Sequence, residues 1–212
     1  MTKMVQPSSE VWLVRHGETL WNRSRRFLGS TDIGLSDVGH QQAAALAARV
    51  EGRVGVVYSS PLCRARETAE AVSSSLRIVD DLREMHQGVL EGLQFEEARD
   101  QYPELMRRWN ERPDLPLIPE GESLLHVQTR SLKAIEHIAQ THREDVLPVL
   151  VVAHQLVIAS VCCALSETPL SAWREFRVGN TEGVRIACLD SGALSMGTGR
   201  DDFSSGREGQ IV

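Results

Sequence analysis

The chain has four cysteines, Cys63, Cys162, Cys163 and Cys188, and they form no C-x-x-C pair and no metal-ligand spacing. Cys162 and Cys163 stand in an apolar helical stretch, where thiols pack as small apolar groups. A reducing cytoplasm is the expected setting. No apolar run reaches the about 20 residues of a membrane span, and Met1 to Glu10 is too polar for a secretory signal, so no membrane partner is expected. Positive charge is in deficit. The 23 Lys and Arg against 29 Asp and Glu give a net charge of −6, which argues against a general nucleic-acid binder and leaves a local basic pocket allowed. No carboxylate cluster suited to a divalent cation is evident, and neither a metal nor another cofactor is expected. No internal repeat or linker divides the sequence. Its 212 residues, 42% hydrophobic and 25% charged, suffice for one globular domain with a sizeable core. That domain is expected over residues 11–196, after a flexible segment 1–10 and before a Gly-, Ser-, Asp- and Arg-rich tail, 197–212, expected to be disordered.

One stretch stands out, from Val11 to Asn22. Four apolar residues read as a short buried strand, which stops abruptly at Arg15-His16-Gly17. Open α/β sheets place their ligands at such strand ends. Arg15 sets a fixed cation beside His16, a potential nucleophile, while Gly17 permits close approach. Asn22 could add an amide donor to the same pocket. Taken alone, the stretch reads equally well as a strand running into a charged surface loop.

Two further strands end in a similar way. Val54 to Tyr58 runs into Ser59-Ser60-Pro61, where Ser60 suits an N-cap and Pro61 a first helical position. The helix that follows would carry Arg64 in its first turn, a good place for an anion. Leu147 to Ala153 is the most apolar strand, flanked by helices as buried parallel strands are, and it ends at His154. Between these lie a helix capped by Ser36 and running to about Val50, with Ala43, Ala44, Leu46, Ala47 and Val50 on one face, and a third strand near Ile78-Val79. Phe95 to Arg112 reads as amphipathic helix broken at Pro103. Pro113 to Glu120, with three prolines, reads as an irregular connection. Gly121-Glu122-Ser123 opens a helix to about Thr141. Gln155 to Leu165 reads as a buried helix, and Val184–Leu189 with Ala193–Met196 as a terminal hairpin. If the three strands ending in Arg15-His16, Ser59-Ser60-Pro61 and His154 are neighbours in a parallel sheet, two arginines and two histidines surround one point.

With those residues in hand, the chain resembles the histidine phosphatase superfamily, the phosphoglycerate-mutase-like enzymes. Arg15-His16-Gly17-Glu18-Thr19 with Trp21-Asn22 looks like the family signature. The match continues through Gly29, Asp32, Leu35-Ser36, Gly39, Gln42-Ala43, Ser59 to Ala65, Thr68-Ala69, Leu82-Arg83-Glu84, Gly88, Glu91-Gly92 and Gly121-Glu122-Ser123. It ends at Val151-Val152-Ala153-His154. The resemblance implies that His16 takes the phosphoryl group as a phosphohistidine. Arg15, Arg64 and His154 would hold phosphate oxygens, with Asn22 assisting and Gly29 among the phosphate-binding positions, and Glu84 would donate the proton to the leaving oxygen. The chemistry asks for such groups independently. Phosphoryl transfer depends on positioning and charge neutralisation, paired guanidiniums clamp phosphate oxygens, and a nucleophilic imidazole must be neutral, a state nearby arginines favour.

Bland readings stand beside these. Arg64 could pair with Glu67 on its helix, and Glu84 could belong to a solvated acidic face with Asp80, Asp81, Glu91, Glu96 and Glu97. His154 could be a satisfied core histidine. His86 is open between pocket and solvent, whereas His40, His126, His137 and His142 read as surface helix residues. Arg23, Arg25 and Arg26 read equally as a basic pocket rim or a solvated loop, and Arg99, Arg107, Arg108 and Arg112 as a solvated helix face. Many relatives carry Gly-Gly or Gly-Val after the second histidine, whereas this chain has Gln155-Leu156. Gln155 is therefore a candidate amide donor to substrate. The segment after Glu84 is shorter than the insertion of cofactor-dependent mutases, which favours hydrolysis.

The expected architecture is a three-layer α/β/α sandwich with a mostly parallel central sheet, phosphoglycerate-mutase-like, and a small helical lid over about residues 84–122. The expected function is metal-independent hydrolysis of a small phosphomonoester, a sugar phosphate or phosphorylated acid. The alternatives are a 2,3-bisphosphoglycerate-dependent phosphoglycerate mutase and a non-catalytic phospho-ligand-binding protein. A homodimer is the oligomer the family analogy offers.

Overall fold

The computed structural model describes residues 9–115 and 118–197. Strand β1 (Ser9–Arg15) alternates its side chains between two cores. Val11 and Leu13 join one, Trp12 and Val14 the other, the period-2 pattern of a strand buried on both faces. After β1 come a single-turn helix α1 (Leu20–Arg23) and helix α2 (Asp37–Val50). Ser36 caps α2 by accepting from Gly39 N, as its sequence position predicts. The buried positions of α2 are Gly39, Ala43, Leu46 and Val50; Ala44, expected on that face, is exposed.

Strand β2 (Val56–Ser59) leads to α3 (Cys63–Val72). Here the predicted cap fails. The helix starts at Cys63 with Leu62 at the cap position and no side-chain cap bond. The Ser60 hydroxyl accepts from Leu62 N at 3.3 Å and also faces His154, so it is committed to the loop. Strand β3 (Leu76–Ile78) follows, then the lid, whose helices are α4 (Phe95–Gln101) and α5 (Pro103–Glu111). Pro103 stands at the first position of α5, where its missing N–H costs nothing. Helix α6 (Leu124–Thr141), strand β4 (Val149–Ala153) and helix α7 (Gln155–Leu165) come next. A 3-10 segment (Leu170–Phe176) then leads to β5 (Gly183–Cys188) and β6 (Leu194–Met196).

The sheet order is β3-β2-β4-β1-β5-β6. β1, β4, β2 and β3 pair in parallel, β5 runs antiparallel to β1, and β6 pairs antiparallel with β5. Helices cover both faces. Leu46, Val50, Ala65 and Ala69 from α2 and α3 pack on Trp12, Val14, Val57, Leu150 and Val152, while α6, α7 and the lid pack on the opposite face. The sandwich and its mostly parallel sheet are therefore as expected. No single described helix is long and apolar enough to cross a membrane.

The strand order decides where the site lies. β4 sits between β1 and β2, with Arg15 beside Ala153 and Ser59 beside Val152. Three strand ends therefore face one point, a convergence the sequence could raise only as a condition.

Two expectations need amendment. Ser9 and Glu10 pair with Cys188 and Ala187, so they belong to the sheet and not to a flexible arm. His142 is buried at the end of α6, with Nδ1 2.7 Å from Asp145 Oδ2 and Nε2 3.0 Å from Tyr58 Oη. The rest of the predicted N-terminal arm, the tail beyond Gly197, and Pro116 and Leu117 within the proline-rich connection lie outside the described residues.

Candidate active site

The floor of the site begins where β1 ends. His16 N donates to Ala153 O at 3.1 Å, extending the pairing with β4 by one step. The His16 ring is 3% exposed, with Nδ1 2.6 Å from the Gly17 carbonyl. A carbonyl only accepts, so Nδ1 carries the proton and Nε2 keeps a bare lone pair. Gly17 N in turn donates to Thr68 Oγ1 at 2.9 Å. A side chain on Gly17 would place its Cβ 2.7 Å from the Gly39 carbonyl, so glycine is required for α2 to close on this loop. Burial first, then Arg64 and Arg15, lower the His16 pKa well below 6.5. The imidazole is neutral at pH 7.

Arg15 Nη1 donates to Val178 O at 3.0 Å. Arg64 is fully buried and, among the described residues, makes no ion pair with a carboxylate; Nη1 donates to Thr31 O at 2.9 Å and Nη2 to Gly29 O at 2.7 Å. It does not pair with Glu67, which instead accepts from Leu35 N. Burial lowers the Arg64 pKa to about 10, so the guanidinium remains charged at neutral pH. His154, also fully buried, sets its ring 5.2 Å from that of His16 and its Nε2 2.8 Å from Ser60 Oγ. Burial, Arg64 and His16 hold its pKa well below 6.5. Arg15 Nε, Arg64 Nε and His154 Nδ1 are buried with no hydrogen-bond partner among the described residues. Buried polar groups of this kind are rare, and a phosphate carries the acceptors that match them. The N-terminus of α3, expected to receive that anion, is taken by Asp32, whose Oδ1 accepts from Cys63 N at 2.6 Å.

Glu84 is 5% exposed and lines the same cavity, so it is not part of a solvated acidic face. Its Oε1 accepts from Met85 N at 2.9 Å and its Oε2 from Leu156 N at 3.2 Å. Burial raises its pKa, against the pull of those two N–H groups and of Arg64 and Arg130. Arg130 fixes the chain here by donating to the carbonyls of Asp81, Arg83 and Glu84.

Asn22 also lines the cavity. Its Oδ1 accepts from Thr19 N within the α1 capping box, which leaves its amide NH2 to offer an anion. Gly29 does not line the cavity. Its carbonyl holds Arg64, and a Cβ there would collide with Glu91 and the Met85 carbonyl. Gln155 lines the cavity, but both ends of its amide are engaged: Oε1 accepts from Val178 N at 3.1 Å and Nε2 donates to Phe176 O at 3.4 Å. Gln155 thus anchors the segment whose Val178 carbonyl holds Arg15. Asn180 Nδ2 donates to His16 O at 2.9 Å. Sequence reasoning missed this 173–182 segment. Its Gly179-Asn180-Thr181 run marks a turn, and nothing local shows that the turn wraps β1.

The cavity holds about 210 Å³. Above the floor it is walled by Phe27, Leu28, Phe95, Met106 and Trp109 on the lid side and by Leu156 and Trp173 opposite, with Arg26, Arg174 and Arg177 among its lining residues. Of the three arginines after Asn22 only Arg26 lines it; Arg23 pairs with Glu18 at 2.7 Å. His86 does not line it; its Nδ1 accepts from Gly88 N. Among the described residues, no three His, Cys, Asp or Glu side chains are grouped to hold a metal ion.

Comparison with known proteins gives the family. The family model described as histidine phosphatase superfamily (branch 1) matches residues 11–196. The chain is 37% identical over 161 residues to phosphoglycerate mutase-like protein 4 of Arabidopsis thaliana, covering 72% of this chain and 69% of that protein. It is 35% identical over 173 residues to the metal-independent phosphoserine phosphatase of the same plant, covering 78% and 72%. The structure of a phosphoserine phosphatase from Entamoeba histolytica in complex with 3-phosphoglyceric acid superposes with a TM-score of 0.79 at 26% identity, over 89% of this chain and 94% of that one. This chain belongs to the histidine phosphatase superfamily, branch 1.

Proposed function

We propose that the chain hydrolyses small phosphomonoesters without a metal ion, through a phosphohistidine on His16. The observation that carries this reading is the 2.6 Å contact from His16 Nδ1 to the Gly17 carbonyl. It directs the lone pair to Nε2 in a ring that burial and two arginines keep neutral. In the first displacement Nε2 bonds to phosphorus as the bond to the leaving oxygen breaks, and the Glu84 carboxyl supplies that oxygen's proton. The ring becomes cationic, and its Nδ1–H remains on the Gly17 carbonyl. In the second displacement water attacks phosphorus, the Glu84 carboxylate takes the water's proton, and the P–N bond returns its electron pair to Nε2. Arg15, Arg64, His154 and Asn22 neutralise and orient the phosphoryl oxygens throughout, the main requirement of phosphoryl transfer. When its Nε2 accepts from Ser60, His154 carries its proton on Nδ1 and can donate it to the phosphate.

The test is phosphate release from a panel of phosphomonoesters in EDTA, wild type against His16→Ala. Release that survives EDTA and disappears in the variant is the expected result. A mutase is the second reading, favoured by the likeness to a phosphoglycerate mutase-like protein. It would appear as interconversion of phosphoglycerates primed by 2,3-bisphosphoglycerate, with little release.

A further inference from the structure

The cavity carries more positive charge than a phosphate needs. Arg15, Arg26, Arg174 and Arg177 line it, Arg64 adjoins it, and among the described residues Glu84 is the one acidic side chain of the lining. A bound phosphate accounts for Arg15 and Arg64. Arg26 is engaged on the lid, donating to Gly92 O at 2.6 Å with Glu97 at 3.7 Å. Arg174 and Arg177 remain, and among the described residues neither makes an ion pair; Arg174 has only the amide oxygen of Asn110 as hydrogen-bond acceptor.

Both guanidiniums are fixed over the Trp173 ring, at 4.5 Å for Arg174 and 5.2 Å for Arg177. Stacking holds them in place without consuming their donors. The two like charges act on each other, since burial together with Arg177 lowers the pKa of Arg174. An anion bridging them relieves that repulsion. Beside the charged groups the lining is largely apolar, with Phe27, Leu28, Met106, Trp109 and Leu156 among its residues. They offer few partners to the hydroxyls of a sugar.

We propose that Arg174 and Arg177, mounted on Trp173, form a carboxylate subsite that selects phosphorylated small acids over phosphorylated polyols. This rests on the phosphatase reading above. The same segment ties the subsite to the phosphate clamp, because Gln155 holds Phe176 and Val178 while the Val178 carbonyl holds Arg15.

The test compares 3-phosphoglycerate with glycerol 3-phosphate, whose hydroxymethyl group replaces the carboxylate on a matching skeleton. Wild type is expected to favour the acid by about 10- to 100-fold in kcat/KM, the range of one or two charge-assisted hydrogen bonds. R177Q should lower that ratio, and R174Q/R177Q should bring it close to one, chiefly by raising KM for the acid. Each ratio compares two esters on one preparation, so any loss of folded enzyme cancels. Equal kcat/KM for the two esters in wild type overturns the subsite. A preference that survives in the double variant overturns its assignment to these arginines. Release from neither ester, nor from p-nitrophenyl phosphate, overturns the phosphatase reading and the subsite with it.

Discussion

The floor of the cavity and its roof are built in different ways. On the floor His16 is nearly buried, and Arg64 and His154, which stand behind it and not among the lining residues, are fully buried. Their polar atoms are set by main-chain carbonyls and by Ser60. The roof is formed by lid side chains such as Phe95, 49% exposed and stacked on Phe27, and by Arg174 and Arg177 laid over Trp173. Backbone anchoring fixes a geometry that serves any phosphomonoester, since the phosphoryl group is common to all of them. Side-chain stacking fixes a surface that one substitution can reshape, which suits recognition of a particular leaving group. Changes on the floor should therefore affect every substrate alike, and changes on the roof should separate one substrate from another.

The largest effect is expected from His16→Ala, which should lower kcat by about 10⁴-fold or more on all substrates in steady-state phosphate release. Next comes Glu84→Gln, which removes the proton donor and should cost about 10²–10⁴-fold on esters with poor leaving groups, and much less on p-nitrophenyl phosphate. The pH profile should change in a defined sense. The wild-type acid limb reports protonation of His16, whose pKa lies below 6.5, and the alkaline limb reports ionisation of Glu84, whose pKa is raised by burial. Glu84→Gln should abolish the alkaline limb and keep the acid one. Gln155→Ala should weaken catalysis by about 10-fold on every substrate, because the lost anchor loosens the Val178 carbonyl that holds Arg15. Because Gln155 also holds Phe176 and Val178 on either side of Arg177, an additional loss on phosphorylated acids is expected, whereas unchanged activity on p-nitrophenyl phosphate would contradict the support of Arg15. Arg107→Gln is the smallest change. Arg107 is exposed and pairs with Glu104 and Glu111, so activity should hold and the melting temperature should barely move.

How much of this was legible in the sequence follows the same division. Arg15, His16, Asn22, Glu84 and His154 stand beside strands or in short motifs whose spacing is visible in one dimension, and the structure brings them to one cavity or its edge. The apolar runs of β1 and β4 and the Ser36 cap could be read from local pattern alone. What eluded local pattern depended on distant partners. Gly29 turned out to support Arg64, Ser60 is drawn from its expected capping role to His154, and the buried His142 is explained by Tyr58 and Asp145. Trp173, Arg174 and Arg177 look like ordinary residues of a post-helical loop, because their place over the cavity depends on where α7 delivers the chain.

The most direct test is to mix wild-type enzyme with a phosphomonoester in EDTA, quench within the first turnover, and map the phosphoryl group by mass spectrometry under alkaline conditions. An acid-labile, alkali-stable phosphate on the peptide that contains His16, absent in His16→Gln, is the predicted result. Full turnover with no phosphoryl group on His16 at any quench time, and with His16→Gln still active, would contradict it.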